Sequence, residues 1–122
     1  MKRLVGSFMA AGMIWFALAM PVSAQRASFT LGTATAAAGQ KADGYIQVPA
    51  GVDAGTNIPV VVVNGAKVGP VLALVTGAHG TEYVSIIAIE KLIRELDPAQ
   101  VSGTVILLPL VNVASSNRRF RT

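Results

Sequence analysis

Three apolar runs and one amphipathic stretch, in a fixed order, constrain this chain more than anything else in it. Ile58-Pro59-Val60-Val61-Val62-Val63 is β-branched and almost uninterrupted, as expected of a strand buried on both faces. Asn64-Gly65 and Gly69-Pro70 punctuate the chain after it, and Val71-Leu72-Ala73-Leu74-Val75-Thr76 is a second run of the same kind. The short link between the two predicts an antiparallel, hairpin-like pair. A helix is predicted from Thr81, read as its cap, to about Leu96. Ile86, Ile89, Ile93 and Leu96 recur on one face with Ile87 and Leu92 beside them, while Glu90, Lys91, Arg94 and Glu95 form the wet face. Asp97-Pro98 stops that helix. A third buried strand is expected over Thr104 to Val111. Strand, helix, strand is a crossover that makes parallel neighbours, so the chain is α/β.

The remaining segments are weaker signals. Lys2 and Arg3 precede an apolar run from Phe8 to Met20, which Pro21 ends, and Val22-Ser23-Ala24 offers small residues for cleavage before Gln25. That pattern predicts a signal peptide over residues 1–24. The run falls short of the roughly 20 apolar residues a membrane-spanning helix needs. The expected location is therefore periplasmic or secreted, with membrane contact only during export. Residues 25–43, rich in Ala, Thr, Ser and Gly, read as an edge strand or loose lead-in. Gly44-Tyr45-Ile46-Gln47-Val48 opens the main domain, 44–122, as a short strand ending at Pro49.

Composition narrows the function classes. The formal charge of +4 is concentrated in Lys2 and Arg3 and in Arg118, Arg119 and Arg121. No basic stripe with interleaved aromatics is present, so nucleic acid is not an expected partner. The chain has no cysteine and 52% apolar residues, so a core or a partner must supply stability where disulfides cannot. The serines have no Gly-x-Ser-x-Gly setting, which excludes a nucleophile elbow at Ser85, Ser115 or Ser116.

Chemistry is concentrated in Gly77-Ala78-His79-Gly80-Thr81-Glu82. His79 is the only histidine, and it follows directly on a buried strand at the mouth of a helix, the crest where α/β sheets bind ligands. Glu82 lies three residues on, so imidazole and carboxylate can converge on one point. Both are ligand types that zinc accepts. Equally, a glutamate in a first helical turn is favoured for its charge alone. A catalytic zinc has three protein ligands as a rule, and no second histidine or cysteine is present to add one.

Gly69-Pro70-Val71-Leu72-Ala73-Leu74-Val75-Thr76-Gly77-Ala78-His79-Gly80-Thr81-Glu82, a helix, then Leu107-Leu108-Pro109-Leu110-Val111-Asn112 resembles the succinylglutamate desuccinylase/aspartoacylase family, zinc hydrolases related to zinc carboxypeptidases. The resemblance implies the N-terminal part of a zinc-carboxypeptidase-like mixed sheet with a crossover helix. It implies His79 and Glu82 as zinc ligands, and Asn112, Arg119 and Arg121 as the residues that meet a small, carboxylate-bearing substrate. Many relatives have proline after the asparagine, where this chain has Val113. The family's Asn-Arg motif, its third zinc ligand and its catalytic glutamate lie downstream of Thr122, so the sequence reads as a truncated hydrolase of amide or ester bonds, inactive alone. The competing expectation is a non-catalytic exported envelope protein or the remnant of a broken gene. In that case three buried strands with one covering helix would leave an apolar patch and favour self-association.

Overall fold

The structure is a computed structural model that describes residues 26–118. Residues 1–24, to which the signal peptide is assigned, lie outside the described residues, as do Arg119 and Arg121. The elements in order are β1 (Phe29–Leu31), β2 (Ala34–Ala36), β3 (Gln40–Val48), β4 (Thr56–Asn64), β5 (Lys67–Val75), α1 (Tyr83–Glu95), β6 (Ser102–Leu108) and α2 (Val113–Arg118). β1 and β2 make a small antiparallel hairpin, and the other strands form a four-stranded mixed sheet in the order β3-β4-β6-β5. None of the described helices is long and apolar enough to cross a membrane.

The crossover is present as the sequence predicts: β5 and β6 are parallel neighbours, with Val71 opposite Thr104 and Val75 opposite Leu108, and α1 connects them. The hairpin predicted for 58–76 is not. β4 and β5 run in opposite directions, but β6 lies between them, antiparallel to β4 through Val61–Leu107 and Val63–Val105. Close backbone approach explains the insertion. The Gly65 N–H donates to the Gly103 carbonyl at 2.8 Å, and a Cβ on Gly65 would fall 2.2 Å from the Val101 carbonyl oxygen. The start of β6 thus occupies the space where a direct β4–β5 pairing would close.

Strand periodicity sorts the core into two layers. On one face Val63 and Leu107, both fully buried, pack with Ile89 of α1, flanked by Val61, Leu74, Leu92, Ile93, Leu96 and Val105. On the other, Val60, Val62, Ile106 and Leu108 pack against Ala34 and Ala36 of β2, with Phe29 and Leu31 at the margin. Each fully buried Val or Leu side chain contributes about 1.5–3 kcal/mol of transfer free energy. Of the two readings for the start of the domain, strand and not loose lead-in describes residues 26–43. The hairpin is the second covering layer, and β3 extends across residue 44 to begin at Gln40. Small side chains are what this layer needs, because β2 lies directly on β3: a Cβ on Gly44 would sit 2.6 Å from the Ala34 nitrogen.

Polar groups staple the layers together. The fully buried Asn64 amide donates to the carbonyls of Ala27 (3.1 Å) and Ala36 (3.0 Å), and its oxygen accepts from the Thr104 hydroxyl at 3.0 Å. Arg26 reaches the Gly65 and Gly103 carbonyls at 3.0 and 2.6 Å and the Thr104 hydroxyl at 2.7 Å. At the far end of α1, Lys41 donates to the Ile93 carbonyl, one of the last-turn acceptors that a helix leaves without an internal partner.

Two expectations about burial are corrected. β5 is not a buried strand: it sits at the sheet edge with a single neighbour, leaving Val71, Leu72 and Val75 each more than half exposed. Ile87 is exposed as well, since the apolar stripe of α1 faces the sheet through Ile89, Leu92, Ile93 and Leu96. Glu90, Lys91, Arg94 and Glu95 do face solvent. Apolar exposure is thus concentrated on β5 and the first turns of α1, where Tyr83 and Val84 are also uncovered. The third strand ends at Leu108, not Val111, because Pro109 has no N–H to continue the ladder.

Candidate metal site

β5 ends at Val75 and α1 begins at Tyr83, and the residues between them form the crest loop that carries the motif. Gly77 and Gly80 take φ of +70° and +71°, a region costly to residues with a Cβ. Two left-handed turns in four residues keep the loop out of helical geometry, so α1 starts later than the sequence predicts. Its first residue is Tyr83, its N-cap position is Glu82, and no side chain makes a capping bond, Thr81 included. The Glu82 carbonyl accepts from the Ile86 N–H at 3.1 Å and the Ser85 hydroxyl at 2.8 Å. Its carboxylate is left unengaged by the helix and free to act at the crest.

His79 and Glu82 are brought together. His79 Nε2 lies 3.8 Å from Glu82 Oε1, with the side chains 82% and 41% exposed. Two ligand atoms at about 2.1 Å from a tetrahedral zinc are separated by roughly 3.4 Å, so a small rotation of either side chain suffices for both to meet one ion. The donor set, one imidazole and one carboxylate, suits zinc. Among the described residues no group of three or more His, Cys, Asp or Glu is placed to hold a metal. Beside the pair, Thr81, Glu82, Tyr83, Val84, Ser85 and Ala88 line an open, mostly apolar groove of about 540 Å³.

Asn112 is also at this crest, after β6 and directly before α2. Its backbone N–H donates to the Gly77 carbonyl at 3.1 Å and its side-chain Nδ2 to the Ala78 carbonyl at 2.9 Å. Its Oδ1 accepts the Ser115 N–H at 3.0 Å, and Thr76 and Val111 bond across the same junction at 3.1 Å. Ser115, which the sequence marks only as a serine without a nucleophile's setting, adds a hydroxyl bond to the His79 carbonyl at 3.2 Å. A signal for it exists in Asn112-x-x-Ser115, since asparagine ahead of a short helix reads as an N-cap. Nothing is described for Arg119 and Arg121.

Comparison with known proteins agrees with this architecture. Residues 68–122 match the model of the succinylglutamate desuccinylase/aspartoacylase catalytic domain. The chain is 35% identical over 83 residues to an N-alpha-acetyl-L-2,4-diaminobutyric acid deacetylase from Halomonas elongata, covering 65% of this chain and 24% of that protein. Among solved structures, a succinylglutamate desuccinylase/aspartoacylase from Rhodobacter sphaeroides is 36% identical with a TM-score of 0.56, over 64% of this chain and 25% of that one. An aspartoacylase family protein from Mesorhizobium loti is 26% identical with a TM-score of 0.58, over 65% and 25%. The chain spans about a quarter of the length of these relatives. Together these matches show residues 68–122, from β5 through the crossover to α2, to be similar to part of the catalytic domain of the succinylglutamate desuccinylase/aspartoacylase family of hydrolases.

Proposed function

We propose that this chain supplies two zinc ligands, His79 and Glu82, and one wall of the substrate site of an exported, zinc-dependent hydrolase of amide or ester bonds. The observation that carries the reading is the convergence of the exposed imidazole and carboxylate at 3.8 Å on a crest loop. Bound there, zinc supplies a Lewis acid for the scissile carbonyl and lowers the pKa of a water ligand. The chain's own contribution is positional. His79 offers an imidazole nitrogen, Glu82 a carboxylate oxygen, and the loop holds both clear of helix and sheet.

The substrate class follows from the relatives and the expected arginines. A small acylated molecule with a free carboxylate fits a family that includes desuccinylases, aspartoacylases and a deacetylase, and Arg119 and Arg121 would pair with that carboxylate through charge-assisted bonds. Asn112 lies on the same side of the sheet as the loop. The third ligand and the proton-relaying glutamate are, on this reading, contributed by residues outside 26–118. The chain by itself is therefore expected to bind zinc weakly and to turn over little.

Titration of the full chain with Co(II) or zinc, beside His79→Ala and Glu82→Ala, tests the reading. Weak binding that each substitution abolishes is the expected result. Binding that persists unchanged in both variants would place the metal elsewhere and remove the proposal. Hydrolysis of N-acetyl and N-succinyl amino acids by the unmodified chain at rates typical of enzymes would overturn the division of the site between this segment and others.

A further inference from the structure

We infer that Asn112 and Ser115 form a clasp that fixes the His79 loop in its ligating shape, making both positioning residues for the metal. The inference rests on the reading of His79 and Glu82 as ligands, and adds to it a cause for their geometry.

Three consecutive carbonyls of the loop are each held by one of these two residues. The Asn112 N–H takes Gly77 at 3.1 Å, the Asn112 Nδ2 takes Ala78 at 2.9 Å, and the Ser115 hydroxyl takes His79 at 3.2 Å. The two holders are themselves joined, since Asn112 Oδ1 accepts the Ser115 N–H at 3.0 Å. Within the loop the turn is closed by the Gly80 N–H on the Gly77 carbonyl at 3.1 Å. The clasp touches backbone alone. Neither the imidazole nor the carboxylate is drawn into it, and both remain exposed.

That division of labour has a thermodynamic consequence. A chelating loop that must be ordered by its metal loses affinity to the ordering, whereas one already ordered by the fold does not. Groups that orient metal ligands without touching the metal typically change affinity by 10–100-fold when removed. Both polar atoms of the Asn112 side chain are occupied within the chain, so its role is explained by the loop without a substrate contact.

The test uses the full chain, Co(II) as the probe, and hydrogen exchange of the metal-free protein followed over residues 77–82. Asn112→Ala and Ser115→Ala are each expected to speed exchange in that loop about tenfold or more and to weaken Co(II) binding 10–100-fold, with exchange in β4 and β6 unchanged. Asn112→Asp keeps the acceptor for the Ser115 N–H but sets an oxygen against the Ala78 carbonyl. It should retain α2 and still loosen the loop, which a purely helix-capping role for Asn112 would not produce. Unchanged loop exchange in both alanine variants overturns the clasp. Should the Asn112 variants fail to fold, Ser115→Ala decides alone. A wild-type chain without His79-dependent Co(II) binding would defeat the zinc reading, while loop exchange would still decide whether the clasp exists.

Discussion

Gly80 lies flat against Ser115: a Cβ placed on Gly80 would stand 2.8 Å from the Ser115 Cβ and 2.8 Å from the Ser116 nitrogen. The crest loop and the entry to α2 are therefore in contact through backbone that no side chain can separate. Gly80→Ala meets two penalties there, the left-handed φ of +71° and the collision. We expect a loss of about 2 kcal/mol, from ~1–2 kcal/mol for the left-handed residue plus the steric term. Urea unfolding reads it as a lower midpoint at constant slope, and Co(II) affinity should fall in parallel.

His79→Ala should leave the metal-free fold as stable as the parent. The side chain is 82% exposed, and substitutions of that kind fall within about 0.5 kcal/mol. Thermal unfolding with a chelator present is the measurement. A loss of several degrees would mean that the imidazole has a structural partner.

Asn64→Ala should be among the most damaging polar substitutions. It strips two carbonyls, Ala27 and Ala36, and the Thr104 hydroxyl of their partner in a fully buried setting. Leaving a buried group unsatisfied costs about 1–3 kcal/mol. Denaturant unfolding should show it, with Thr104→Val causing a smaller loss in the same range. The double variant should lose less than the sum of the two, since the two side chains share a bond.

Ala36→Leu should destabilise by about 1–3 kcal/mol through overpacking. Ala36 is 1% exposed between the hairpin and Val62, and β2 has no room to rise while the Thr33 N–H donates to the Tyr45 carbonyl at 3.0 Å and the Tyr45 N–H donates to the Thr33 hydroxyl at 2.8 Å. Differential scanning calorimetry would detect the shift. Unaltered stability would mean that the hairpin is not a covering layer.

Much of this architecture is legible from residues alone, and the rest is hidden for identifiable reasons. The parallel β5–β6 pair can be read because the helical stripe of Ile89, Leu92, Ile93 and Leu96 stands between two continuous apolar runs. The convergence of His79 and Glu82 can be read because the two are close in sequence as well as in space. The hairpin layer is obscured by its composition. Ala34 and Ala36 have little hydrophobicity to announce a core position, and they are buried because β3 presents Gly44 to them. The β4–β5 pairing misleads because a short, glycine-bearing link is a hairpin signal, and only the later arrival of Gly103 at the Gly65 N–H displaces it. Asn112 and Ser115 act on a loop more than 30 residues earlier, a separation that no local pattern encodes.

The strand order β3-β4-β6-β5 also sets a timetable. A ribosome that has released β4 and β5 has made two strands whose common neighbour does not yet exist, so Val63 has no Leu107 to meet and the crest has no Asn112 to close it. Among the described residues, nothing before Ser102 can complete the sheet ahead of β6. The nascent chain must stay open until nearly the whole of the described segment has been synthesised, and the crest loop takes shape in the same late event that seals the core.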